Sequence, residues 1–223
     1  MSLQELKQKC KATLASEYEN IELNSLMSIL FEHITGWDQL KQVLNKEQKL
    51  PQVKIDQFHK ALTSLQEGMP IQYIIGKAWF MGHEYIVNEN VLIPRPETEE
   101  LVDWIIEYAS IIDKPLQVLD IGTGSGCIPI ATKLALPNCM VAGLDISEAA
   151  LQIAKQNATH LNAAISWMQE DILNTTYTLG TSSNGLVINT TGAYTLGNGT
   201  KGLSLNTTTN THKLGDYTAN TVF

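Results

Sequence analysis

No stretch of this sequence approaches the ~20 consecutive apolar residues that a bilayer-spanning helix requires. The first ten residues, MSLQELKQKC, alternate polar and apolar side chains and lack the apolar core of a secretory signal. The expected location is therefore cytoplasmic, with no membrane partner. Cysteine is also scarce. Cys10, Cys127 and Cys139 are scattered without paired spacing, which excludes a disulfide framework and a thiolate metal site, so no metal is expected. Positive charge is in short supply too. Lys and Arg total 15 against 23 Asp and Glu, a formal net charge of −8, and no basic run stands out. A partner held mainly through phosphates needs a basic face, so direct nucleic-acid binding is not expected. What is present is enough apolar content, 43% of 223 residues, for one full core and a small accessory one. The chain is expected to be a monomer.

The chain falls into three parts. Residues 1–78 read as a small helical bundle: Leu3, Leu6, Cys10 and Leu14 recur at helical spacing, as do Ile55, Phe58, Leu62 and Leu65. Gly36 and Pro51 punctuate the run, and Gly68 with Pro70 ends it. Its aromatic residues and His59 are read as packing or surface residues. Residues 79–98 read as a hairpin and linker. Tyr85 and Val87 alternate, Asn88-Glu89-Asn90 supplies the turn, and Val91-Leu92-Ile93 supplies the return. Pro94 and Pro96 then force an extended segment. Thr98 is placed to cap a helix whose apolar face carries Leu101, Trp104, Ile105 and Tyr108.

From Leu116 the period changes. The apolar runs QVLDIG, MVAGLD and ISWMQED are separated by two helical patterns, one through Ala131 and Leu134 and one from Ser147 with Leu151, Ala154, Ala158 and Leu161 inward. Strand, helix, strand, helix, strand signals a parallel, doubly wound α/β sheet within residues 99–223. After Leu173 the sequence turns to Thr, Asn and Gly. This tail, 174–223, is expected to contribute neither the helices nor the strands that complete such a sheet.

The chemistry concentrates at Asp120-Ile121-Gly122-Thr123-Gly124-Ser125-Gly126, between a strand and a helix. Glycines there let the chain turn sharply and let a ligand approach the backbone. Asp145 ends the second strand about twenty residues further on, where a carboxylate can accept from ribose hydroxyls. Asp171 ends the third, within reach of an adenine amino group. The loop reads Gly-x-Gly-x-Gly rather than the dinucleotide spacing Gly-x-Gly-x-x-Gly, and Asp120 suits a cationic sulfonium cofactor better than a pyrophosphate. S-adenosyl-L-methionine is the expected cofactor.

The helical first part, the hairpin, the segment Leu92-Ile93-Pro94-Arg95-Pro96-Glu97-Thr98-Glu99 and the loop DIGTGSG together resemble the release-factor glutamine N5-methyltransferases, the HemK/PrmC family, over residues 1–173. The resemblance implies a Rossmann-like methyltransferase domain behind a helical domain that holds the release factor. The implied reaction is methyl transfer to the glutamine side chain of a Gly-Gly-Gln motif. It also implies cofactor contacts at Gly122, Thr123, Gly124, Ser125, Gly126, Asp145, Asp171 and Ile172; the family often has an aromatic residue where Ile172 stands.

One departure stands out. The family places Asn-Pro-Pro-Tyr at the end of a fourth strand, and that run is absent. The nearest equivalent is the apolar run Gly185-Leu186-Val187-Ile188 followed by Asn189, which makes Asn189 the candidate catalytic residue. An asparagine there would accept an amide hydrogen and orient the nucleophile. Two other readings remain open at this stage: an inactive or chimeric family member, and an adenine-N6 nucleic-acid methyltransferase, which uses a related Asn-Pro-Pro-Tyr site.

Overall fold

Leu3, Leu6, Cys10 and Leu14 all lie on the buried side of α1 (Leu3–Leu14), each with no exposed surface, as the helical spacing requires. The helix starts in a capping box: the Glu5 N–H donates to Ser2 Oγ and the Ser2 N–H to Glu5 Oε2. α2 (Asn20–Thr35) stops at Gly36, whose φ of 73° is open to glycine at little cost. α3 (Gln39–Leu44) follows, and α4 (Gln52–Gln66) begins after Pro51. The short α5 (Ile71–Ile75) begins after Pro70. Ile55, Phe58, Leu62 and Leu65 face inward from α4, and the rings of Phe31 and Phe58 sit 4.2 Å apart at the centre of the bundle. The computed structural model describes residues 1–112 and 116–173 in full, and the backbone of five later strands. The chain divides into two compact units, Met1–Lys77 and Ala78–Phe223.

The hairpin lies one turn earlier than the sequence reading placed it. β1 (Lys77–Phe80) and β2 (His83–Ile86) are joined by Met81 and Gly82, with φ of 49° and 74°. Two successive left-handed residues match the twist of a tight hairpin, a stronger signal than the polar Asn88–Asn90. That later segment is instead a local turn, in which the Asn90 N–H donates to Asn88 Oδ1 and the Val91 N–H to the Asn88 carbonyl.

α6 (Glu97–Ser110) corrects two further expectations. Its N-cap is Pro96, and Thr98 lies inside the first turn. The residues that close that turn are carbonyls, with the Thr98 N–H donating to Arg95 and the Glu99 N–H to Pro96. More consequentially, the apolar stripe is not the buried face. Val102 is fully buried, whereas Leu101, Trp104 and Tyr108 remain 43%, 64% and 58% exposed.

β3 (Gln117–Ile121), α7 (Cys127–Ala135), β4 (Met140–Asp145), α8 (Glu148–His160) and β5 (Ser166–Gln169) build a parallel three-stranded sheet in the order β3-β4-β5. Right-handed crossovers between neighbouring strands put both helices on one face. α7 packs on β3 and β4, α8 on β4 and β5, and α6 on α7. The α/β alternation thus holds. The tail supplies strands of its own, and among the described residues none of them pairs with the parallel sheet. β6 (Tyr177–Leu179), β7 (Gly185–Ile188), β8 (Ala193–Gly197), β9 (Lys201–Asn206) and β10 (Thr211–Asp216) form an antiparallel meander in the order β10-β9-β8-β7-β6. Apolar residues at every second position, such as Leu203 and Leu205, give the period of two that such strands need. The run 185–188 is therefore a strand, but one paired antiparallel with β6 and β8.

Candidate functional site

The glycine loop sits between the end of β3 and the start of α7, as its motif requires. Gly122, Gly124 and Gly126 have φ of 75°, 53° and 77°, with ordinary conformations between them. A Cβ added at Gly122 or Gly124 would meet nothing within 4 Å, so the loop presents an open, backbone-lined hollow there. Gly126 has a different reason to be glycine. Its Cβ would lie 2.9 Å from the Trp167 ring and 3.0 Å from Ala154, so this position sets the close packing of α7 on its neighbours. The loop is fixed to β4 by the Gly122 and Thr123 N–H groups, which both donate to the Leu144 carbonyl at 2.8 and 3.0 Å.

Asp145 ends β4 and is buried. Its carboxylate spans the site: Oδ2 accepts the Gly124 N–H and Oδ1 the Ser147 N–H, each at 2.9 Å. The sequence reading gave this residue to ribose hydroxyls. The structure adds a clamp between the glycine loop and the start of α8, and a carboxylate with about four lone-pair sites can serve both. The third strand end is tied in through the Glu170 N–H, which donates to the Asp145 carbonyl at 3.2 Å. Asp171 and Ile172 follow at once, both half-buried, with the Leu173 N–H donating to Asp171 Oδ1. The structure thus brings together the loop, Asp145 and the Asp171-Ile172 pair. Asn189 lies outside the described residues.

Asp120, on β3 below the loop, carries the site's unusual electrostatics. Its Oδ2 is buried without a hydrogen-bond partner, as is the Thr123 hydroxyl. Burial raises the Asp120 carboxyl above its ordinary range, and the Asp145 carboxylate raises it further. The Thr123 hydroxyl, close by but outside bonding geometry, opposes the shift. Two carboxylates converge on one hollow with no cation among the described residues to balance them. That arrangement fits a ligand that brings positive charge. Cys127, the first residue of α7, is held as the thiol: burial pushes it up to about 11.

Asn157 was missed by the sequence reading. It lies fully buried on α8, where Oδ1 accepts the Ile86 N–H at 2.6 Å and Nδ2 donates to the Ile86 carbonyl at 3.0 Å and the Ser125 carbonyl at 2.9 Å. One side chain therefore locks the hairpin to the glycine loop. The signal was a polar residue on the inward face of the helix, beside Ala154 and Ala158. Glu99 acts similarly, accepting the Met81 N–H at 2.7 Å and so holding the hairpin turn to α6.

Comparison with known proteins agrees with this geometry. The PrmC N-terminal domain profile matches residues 5–76, and a methyltransferase domain profile matches residues 112–189. The class is thus a Rossmann-like methyltransferase domain behind a small helical one, the fold class read from the sequence. More particularly, the chain is similar to release factor glutamine methyltransferases. That of Flavobacterium psychrophilum is 43% identical over 164 residues, covering 73% of this chain and 58% of the relative. That of Enterococcus faecalis is 46% identical over 132 residues, covering 59% and 47%. That of Bacillus subtilis is 38% identical over 164 residues, covering 72% and 57%. The resemblance to that family is borne out, and the chain spans about half the length of these relatives. No described helix is long and apolar enough to cross a membrane.

Proposed function

We propose that the chain uses S-adenosyl-L-methionine to methylate the glutamine side chain, at N5, of the Gly-Gly-Gln motif of peptide chain release factors. The observation that carries the reading is the open glycine hollow clamped by Asp145, with the partnerless Asp120 Oδ2 beside it. The similarity to release factor glutamine methyltransferases supports the choice of reaction and substrate. When bound, the cofactor supplies a methyl group on a positively charged sulfur. The chain's own residues do the holding. Gly122 to Gly126 give close backbone approach, Asp120 and Asp145 favour positive charge, and Asp171 with Ile172 lines the adenine end. The N-terminal bundle holds the release factor, and Asn189 orients the glutamine amide.

The test has two stages. S-adenosylmethionine or its demethylated product should raise the melting temperature of the second unit, and NAD should not. Asp145→Ala should remove most of that shift, since each charge-assisted bond it loses contributes about 1.5–3 kcal/mol. A shift with NAD alone would overturn the cofactor assignment. Radiolabel transfer to a purified release factor should then be detectable. It should fall about a hundredfold or more below that of a relative with an intact Asn-Pro-Pro-Tyr run, because Thr190, Thr191 and Gly192 do not constrain the acceptor loop as prolines do. Transfer that persists unchanged in Asn189→Ala would remove that residue from the reaction.

A further inference from the structure

The glycine loop is held from two sides. On the β4 side, the Gly122 and Thr123 N–H groups donate to the Leu144 carbonyl and the Gly124 N–H donates to Asp145 Oδ2. On the α8 side the tie is Asn157, whose Nδ2 donates to the Ser125 carbonyl. The next N–H, of Gly126, donates to the Thr123 carbonyl at 2.9 Å. The Ser125–Gly126 peptide plane is therefore pinned at both of its polar ends.

The remainder of the Asn157 amide goes to Ile86, the last residue of β2, where Oδ1 accepts the N–H and Nδ2 donates to the carbonyl. Three backbone groups from two distant segments thus meet one side chain that has no exposed surface. Their chemistry fixes the amide orientation, because an oxygen must face the Ile86 N–H and an NH2 must face the two carbonyls. Ile86 is also where the chain leaves the hairpin. The segment that follows, residues 87–96, is anchored by Val87 and Val91, 1% and 4% exposed, and shows Leu92 to solvent. It runs into α6, whose Glu99 accepts the Met81 N–H at the hairpin turn. Both ends of the segment are tied to the hairpin, and the Asn157 tie also reaches the glycine loop. The Tyr85 hydroxyl makes a longer bond, 3.5 Å, but to the Cys127 carbonyl on α7.

We propose that Asn157 is a positioning residue for the cofactor site: it joins the glycine loop and the hairpin exit into one unit, so that a ligand seated on the loop also fixes the segment 87–96. Buried bonds transmit a displacement because leaving one of the backbone groups unpaired costs more than moving the two segments together. The coupling is reciprocal, so whatever holds Ile86 also tightens the loop. The identity of the ligand rests on the methyl-transfer reading, whereas the tie is present in the free chain.

The experiment uses the full chain, with the demethylated product of S-adenosylmethionine as probe and amide exchange read residue by residue. In the original chain the probe should slow exchange at Gly124, Ile86 and Val87 together. Asn157→Ala should bind the probe about tenfold or more weakly and, at saturation, show protection at Gly124 without protection at Ile86. Asn157→Asp keeps the acceptor for the Ile86 N–H but sets an oxygen against both carbonyls, and it should bind as weakly. Leu151→Ala is the control. It truncates a buried apolar side chain on the same helix that bonds neither segment, and should leave the affinity within about twofold. The inference is overturned if Asn157→Ala binds as tightly as the original, if Leu151→Ala loses as much affinity, or if Gly124 is protected while Ile86 is unchanged in the original chain. An original chain that does not bind the probe overturns the cofactor reading instead. The free chain then decides the inference: Asn157→Ala must speed exchange at Gly124 and Ile86 together, and a change at Ile86 alone overturns it.

Discussion

α1 and α6 carry apolar stripes of similar spacing, yet one is sealed and the other is not. In α1 all four stripe residues are fully buried, because α2 and α4 close over them within a unit of 77 residues. In α6 the stripe faces outward and the helix is anchored by Val102, with Ile106 half-buried beside it. The lesson concerns what amphipathicity means. A stripe states that a face needs a partner, and whether the partner is present depends on the neighbouring elements. The N-terminal unit carries its own partners for α1; in the α/β unit most of the α6 stripe stays exposed.

The largest effect that would break this comparison is on stability. Phe58→Ala removes a fully buried ring stacked near Phe31 and should cost about 3–5 kcal/mol in urea unfolding. Trp104→Ala should change it by only about 0.5 kcal/mol, as exposed substitutions do. Equal costs would mean that α6 is covered after all. Residues 1–77 alone should also melt cooperatively by circular dichroism.

Within the α/β unit, Asn157→Ala should cost about 2–3 kcal/mol, because it strands the Ile86 and Ser125 backbone groups in a buried place. Loosening of the glycine loop should accompany it, read as faster amide exchange at Gly124 and Ser125. A neutral substitution would show that the hairpin and loop are held by packing alone.

A smaller effect, with a sign that pH reveals, comes from Asp120. Its folded pKa is raised by burial, so the folded state holds the proton more tightly than the unfolded chain does. Stability therefore falls as pH rises from the ordinary value of 3.8 through the folded value, and the cost persists above it. Asp120→Asn should raise the melting temperature of the unliganded chain at neutral pH, with the gain vanishing below that ordinary value. The same change should weaken S-adenosylmethionine binding. A gain that persisted in acid would assign the effect to packing.

The smallest effect compares two thiols. Cys10 and Cys127 are both pushed by burial to about 11, so each is roughly 0.1% thiolate at pH 8. Both should resist a thiol reagent until the chain unfolds. Faster reaction at Cys127 would reveal local opening of the α/β unit beside a bundle that stays closed.

Much of this was legible in the residues. Leu3, Leu6, Cys10 and Leu14 announced a helix face, and DIGTGSG announced a strand-to-helix turn with a ligand hollow. Asp145 was placed at a strand end by the strand, helix, strand rhythm. Each of these is a local matter, since side-chain period and glycine conformation are set within a few residues. The hairpin turn was misplaced because Asn88–Asn90 is a stronger polar signal than Met81-Gly82, although only the latter takes two left-handed residues. The tail's separate strands were not legible because its Thr, Asn and Gly content obscured the alternation of Leu203 and Leu205.

What the sequence determined by itself was the inventory: a helical first part, a parallel α/β part, an acidic glycine-loop site and a family resemblance. Tertiary structure decided the connections. It gave both Asp145 oxygens to backbone N–H groups, sent Asn157 to the Ser125 carbonyl, left one Asp120 oxygen without a partner and turned the α6 stripe outward. These outcomes depend on which distant elements meet, and a one-dimensional pattern records the demand for a neighbour without recording the neighbour.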